Sequence, residues 1–230
     1  MNLFREEAIN NLIQAIDLDE YDDAKQDEAV GLDEVPPVAH QFLHLYTLAR
    51  LPVLEVGCGS GGLFGRYSIT QAIEPCTKRF KAAQARGGVE VKQNVVECMD
   101  FGAETFEAVI MLNSLWQVRS VPEAWIEINR VLKVGGVYLF NVLTDDTVDV
   151  VQGLVLGARN TGRYLEQFGF EVVGRIACDA GPRFSPHHQT SVYLAAEKVR
   201  DFDVRWTVQP QITDRSALLN YLPDRDWRLL

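Results

Sequence analysis

The chain reads as an α/β protein built on a doubly wound, mostly parallel sheet with helices on both faces. Three observations predict this. From residue 51 onward, short runs rich in Val, Ile and Leu alternate with stretches of helical period. The first run, Val53-Leu54-Glu55-Val56, breaks into Gly57-Cys58-Gly59-Ser60-Gly61-Gly62. Apolar residues at that density suit a strand buried on both faces, and the glycines permit positive φ and close approach to bare backbone. Finally, 230 residues with 47% hydrophobic and 23% charged side chains suffice for one core without disulfides or metal.

The elements follow in order. Leu3, Phe4, Ala8, Leu12, Ile13 and Ile16 recur at helical spacing and predict an amphipathic first helix. Residues 17–34 carry nine acidic side chains against the single Lys25 and read as a solvated connector, with a lid over a site as the alternative. Pro36-Pro37 opens a second helix through residue 50, anchored by Phe42, Leu43, Tyr46 and Leu48. Strands are expected at 52–56, 69–73, 89–93, 106–112, 136–143, 171–178 and 191–196, with helices at 76–86, 121–132 and 161–168. In the second of these helices Trp125, Ile126, Ile128 and Val131 form the buried side. Only the last two strands lack a helical spacer; the Gly- and Pro-punctuated stretch between them predicts an antiparallel hairpin at one edge. Beyond it, Phe202, Val204, Trp206 and Val208 alternate like a strand, and 216–222 reads as a short helix. The expected organisation is an N-terminal helical cap (1–50), a core domain (51–197) and a C-terminal extension on that core (198–230).

Bulk properties exclude several partners. A net charge of -10 repels phosphate backbones, and no basic run offsets it, so nucleic acid is not expected. Cys58, Cys76, Cys98 and Cys178 show no CxxC spacing, which argues for a reducing compartment and against zinc. The acidic start of the chain does not read as a signal peptide, and no apolar stretch is long enough for a bilayer. A cytoplasmic protein without a membrane partner is expected; the oligomeric state is not readable.

The spacing Gly57-x-Gly59-x-x-Gly62 fits a nicotinamide dinucleotide as well as another adenosine ligand. Glu74 adds information. It ends the second strand in Ala72-Ile73-Glu74-Pro75, where a carboxylate can accept hydrogen bonds from both hydroxyls of a ribose. Loop and carboxylate together predict a nucleoside site.

Four segments then carry a resemblance: Glu55-x-Gly57-x-Gly59-x-Gly61, Ile73-Glu74-Pro75, Phe106-Glu107-Ala108-Val109-Ile110 and Glu127 through Gly136. In this order they resemble the class I S-adenosylmethionine-dependent methyltransferases, and most of all their small-molecule, methyltransferase type 11-like branch. The likeness covers roughly residues 40 to 197. It implies a Rossmann-like, seven-stranded sheet whose last strand runs antiparallel, and S-adenosylmethionine as cofactor with S-adenosylhomocysteine as product. It also implies site roles. The backbone from Gly57 through Cys58, Gly59 and Ser60 to Gly61 would lie along the methionine and ribose, Glu55 would order the loop and the amino group, and Glu74-Pro75 would take the ribose. Val96 and Glu97 would border the adenine, and Asn113 would contact the cofactor.

The sequence departs from the family at Val95, where an acid is usual, at Gln117, where histidine is common, and at Val134, where proline is usual. Leu112-Asn113-Ser114-Leu115-Trp116-Gln117 is not the Asn-Pro-Pro-aromatic signature of amino-methylating enzymes of nucleic acids and proteins. Weak candidates for a catalytic base are His187 and His188, between the last two strands, and His44. His40 and His44 stand i, i+4 on one helix, but with no third ligand no metal is expected. The expected function is methyl transfer to an oxygen, nitrogen or carbon of a small-molecule acceptor. A nicotinamide-dependent oxidoreductase and a cofactor-binding module without catalysis are the alternatives.

Overall fold

The computed structural model describes residues 35–143, 149–151, 154–156, 158–179 and 190–203. The expected first helix, the acidic segment 17–34, His187, His188, and the strand and helix expected beyond residue 203 lie outside them. The elements are α1 (Pro37–Thr47), β1 (Val53–Val56), β2 (Ile69–Ile73), α2 (Thr77–Arg86), β3 (Glu90–Lys92), β4 (Phe106–Met111) and α3 (Val121–Val131). They continue with β5 (Leu132–Leu143), β6 (Asp149–Val151), β7 (Leu154–Leu156), α4 (Ala158–Gln167), β8 (Phe170–Asp179) and β9 (Thr190–Lys198). No helix among the described residues is long and apolar enough to cross a membrane.

Seven strands form one sheet in the order β3-β2-β1-β4-β5-β9-β8. The first five run parallel, and β9 is antiparallel to both β5 and β8. The expected hairpin is therefore present, with its second strand inserted beside β5 and its first left at the edge. Adjacent residues of the central strands bury on opposite faces. Leu54, Val56, Val109, Met111, Tyr138 and Phe140 pack with Trp125 and Ile128 of α3 and Leu165 of α4. Val53, Ala108, Ile110, Val137 and Leu139 pack with Ala39 and Leu43 of α1.

Three expectations change. Two further connections lack an α-helix: residues 57–68 between β1 and β2 form turns only, and the β3–β4 connection holds only a 3-10 turn, Val96–Cys98. The first has five glycines in twelve residues, too short and too glycine-rich for a return helix. A two-stranded hairpin, β6 with β7, forms inside what the sequence left as a connection, because three-residue strands carry no readable period. And β5 begins at Leu132, directly after α3, pairing Phe106 with Leu132 before the register slips to Ala108 with Val137. Gly135, at φ +80, sits in that slip.

Helix α1 is fixed to the core at several points. The Tyr46 hydroxyl donates to Val173 O at 3.2 Å, and its ring occupies the space over Gly174, where an added Cβ would lie 2.0 Å from that hydroxyl. Arg50 donates to Gly135 O at 2.8 Å. On the other face, buried Asn129 of α3 donates to Phe168 O and Arg200 O and accepts from Phe202 N–H, which fastens the chain after β9.

Candidate functional site

The strand order reverses between β1 and β4, and a crevice outside the carboxyl ends of strands forms at such a point in open α/β sheets. Here the glycine turn after β1 meets Asn113-Ser114 after β4. Gly57 has φ +68, and a Cβ on it would lie 2.7 Å from Ser114 Oγ, so glycine is required on both counts.

The loop spends four of its amides on the protein. Gly57 N–H and Cys58 N–H both donate to Ile73 O, at 2.9 and 3.1 Å. Gly59 N–H donates to Glu74 Oε2 at 2.8 Å, and Gly61 N–H to Cys58 O at 2.9 Å. The residue following the loop is not in a helix. A phosphate site of the dinucleotide type needs a helix N-terminus with its amides free, and this turn offers no helix and has four of its amides bonded within the protein. Ser60 is half-buried, and burial pushes the Cys58 thiol above its ordinary range.

Glu74 directly follows β2 and is buried. Its second oxygen, Oε1, accepts from Cys76 N–H at 3.0 Å. Burial raises its pKa, while the Cys76 and Gly59 amides and the Arg79 guanidinium pull it back. Glu55 lies between Leu54 and Val56, so its side chain leaves β1 on the α1 face. It is 5% exposed, and its Oε2 has no hydrogen-bond partner. Burial first, and the Glu74 charge second, push its pKa up to about 8. Two buried carboxylates thus flank the glycine turn, one lacking a partner, a combination that favours a ligand bringing donors and positive charge.

Across the crevice, Asn113 stands at φ +53 after β4. Its backbone N–H donates to Asn141 Oδ1 at 2.7 Å, and Asn141 Nδ2 donates to Asn113 Oδ1 at 2.6 Å. Asn141, on β5, was not among the expected residues. Its signal was a carboxamide inside the apolar run from Val137 to Leu143. Val96 is buried in the 3-10 turn. Glu97, beside it, accepts from Arg119 N–H at 2.6 Å and Ser120 N–H at 3.4 Å, so one oxygen is tied to the start of α3. Pro75 O accepts from Gln93 Nε2 at 3.1 Å.

The histidines separate. His44 is exposed on the outer side of α1, while half-buried His40 hydrogen-bonds the Tyr67 hydroxyl through Nδ1, the two rings stacked at 5.9 Å. Burial pushes the Tyr67 pKa up to about 12, with Glu55 adding a smaller upward push. Among the described residues no group of three or more His, Cys, Asp or Glu could hold a metal ion.

Residues 54–140 match a family model described as "Methyltransferase domain", from the second residue of β1 into β5. No curated protein sequence matches the chain. Solved structures share the fold. A SAM-dependent methyltransferase from Thermotoga maritima is 20% identical, over 70% of this chain and 91% of that one, with a TM-score of 0.52. Geranyl diphosphate methyltransferase, solved with GPP and sinefungin, is 16% identical over 70% and 77%, with a TM-score of 0.56. The cyclase SpnF is 18% identical over 70% and 80%, at 0.55. The match to a methyltransferase domain thus falls on the strands and turns that build the crevice, within a seven-stranded fold shared with solved S-adenosylmethionine-dependent methyltransferases.

Proposed function

We propose that the crevice between β1 and β4 binds S-adenosylmethionine and that the protein transfers its methyl group to a small-molecule acceptor. The observation that carries the reading is the pair of buried carboxylates, Glu55 and Glu74, around a glycine turn that opens no helix and has four amides bonded within the protein. Such a site suits a cationic nucleoside and opposes a pyrophosphate. Glu74 keeps lone pairs beyond the two amide hydrogen bonds and would take the ribose hydroxyls. Glu55, buried without a partner on Oε2, would face the positive end. The backbone from Gly57 to Gly61 would form the wall between them, Val96 and Glu97 with Pro75 would border the base, and Asn113 would close the far end. When bound, the cofactor supplies an activated methyl on a sulfonium.

The chain's own contribution to such a displacement is positioning and exclusion of water, which can supply much of the acceleration without a base. The fold likeness includes a protein described as a cyclase, so the chemistry is argued from the site and not from the fold. The net charge of -10 supports a small acceptor over nucleic acid. Calorimetry tests the reading: S-adenosylmethionine and S-adenosylhomocysteine should both bind, and NADH should not. Heat with NADH alone would establish the oxidoreductase alternative instead.

A further inference from the structure

The chain's charge is distributed unevenly. Residues 17–34 hold nine acidic side chains against Lys25, a net of -8 out of the molecule's -10, which leaves -2 for all other residues together. Helix α2 is the opposite extreme. Its ten residues include Lys78, Arg79, Lys81 and Arg86 and no acid. Lys78 and Lys81 stand three apart on the side opposite buried Ala83, where like charges repel, and both are exposed, as is Arg86. Lys78 and Arg79 also lie in the first turn, at the positive end of the helix dipole, and no side chain caps that end. A helix this short, arranged against its own electrostatics, gains from negative charge brought by another segment. Glu74 supplies one such charge, toward Arg79.

The acidic segment is tethered where it can supply the rest. It ends at Glu34, and the next residue, Val35, is buried with Leu63 and Tyr67. Val89, which follows α2 after Gly87-Gly88, packs against that cluster and also against the cluster of Ala83 and Phe80 on the inner side of α2. The segment therefore enters the fold next to α2. Its extended reach of up to about 60 Å exceeds the roughly 15 Å length of the helix, so distance does not limit the contact. We propose that residues 17–34 lie along the outer side of α2, with their carboxylates on Lys78, Lys81 and Arg86. A single exposed ion pair contributes little, whereas nine carboxylates held beside the helix meet it at high effective concentration. An external polyanion would have to displace a covalently attached competitor.

A zero-length carbodiimide, which joins an amine and a carboxylate in contact as an amide with loss of water, tests this on the full chain, with the linked peptides identified by mass spectrometry. The Lys133–Glu107 pair, at 2.9 Å, gives the yield of an established contact. Lys78 and Lys81 should link to acids of residues 17–34, and Lys133, on β5, should not. In a mixture of labelled and unlabelled protein the links should stay within one chain. Salt at about 1 M, where the Debye length is about 3 Å, should lower their yield at least about threefold. Lys81→Glu with Arg86→Glu should lower the Lys78 links by a similar factor. If that variant does not fold, Lys81→Gln with Arg86→Gln decides by the same readout. Links from residues 17–34 to Lys133 as abundant as those to α2 would mean a freely solvated segment and overturn the proposal. Links found only between labelled and unlabelled chains would give α2 to a second copy and overturn it too. So would wild-type protein retained on heparin through Lys81 and Arg86, because the face would then be open to an external polyanion.

Discussion

Glu74 reaches from the end of β2 to the turn after β1 and accepts the Gly59 N–H at 2.8 Å, while its other oxygen holds Cys76 N–H at 3.0 Å. One carboxylate therefore shapes the glycine turn from behind and also caps the approach to α2. Glu74→Ala should lower stability by about 1–3 kcal/mol through the two orphaned amides, and weaken S-adenosylhomocysteine by at least about tenfold. Thermal unfolding and calorimetry on one preparation separate the two losses. Affinity unchanged in Glu74→Ala would remove the ribose from this carboxylate.

Glu55 makes stability depend on pH in a definite direction. Its folded pKa of about 8 lies above the ordinary value of 4.5, so between these limits the folded state holds a proton that the unfolded chain has released. This contribution is full below pH 4.5 and is lost as pH rises through 8. Denaturant unfolding should show weaker folding at pH 8.5 than at pH 6, by up to roughly 3 kcal/mol from this group. Glu55→Gln should flatten the difference. Binding a cation at Glu55 should release a proton near pH 7, visible as a buffer-dependent calorimetric heat.

The Tyr46 ring fills the space over Gly174, which limits what position 174 tolerates. Gly174→Ala should destabilise by about 1–3 kcal/mol through overpacking. In a Tyr46→Ala background the same change should be close to neutral. A double-mutant cycle by chemical denaturation gives the coupling, and additive effects would show that α1 can shift off β8 without loss.

Asn129 holds three backbone groups at once. Asn129→Leu should cost about 1–3 kcal/mol, because the part-buried carbonyls of Phe168 and Arg200 and the Phe202 N–H lose their partner. Limited proteolysis should then cut near residue 200 earlier than in wild type.

What the sequence disclosed was local. The glycine turn, Glu74 at the end of the next strand, and the strand–helix alternation are all written in neighbouring residues, so the sheet and both carboxylates were legible. The rest depended on contacts between distant segments. Nothing near Val137 or Leu143 says that Asn141 will face Asn113, since the pairing follows from β4 and β5 lying side by side. His44 and His40 share a helix and a residue type, yet only the path of residues 57–68 brings Tyr67 to one of them. The missing helix between β1 and β2 was a matter of length: twelve residues cannot both turn and return through a helix.

That connection has a further consequence for how the molecule breathes. Beyond the anchored amides of Gly57, Cys58 and Gly59, this connection is closed by single-turn bonds, such as Phe64 N–H to Gly61 O at 3.2 Å and Arg66 N–H to Leu63 O at 3.0 Å, with no helical ladder behind them. Their amides should exchange with deuterium by local opening well before those of β4 or β5, which exchange only with the sheet. A nucleoside seated on the glycine turn would slow that exchange first at its own wall. A segment that opens ahead of the central strands in the free protein is then the one whose closing reports the ligand.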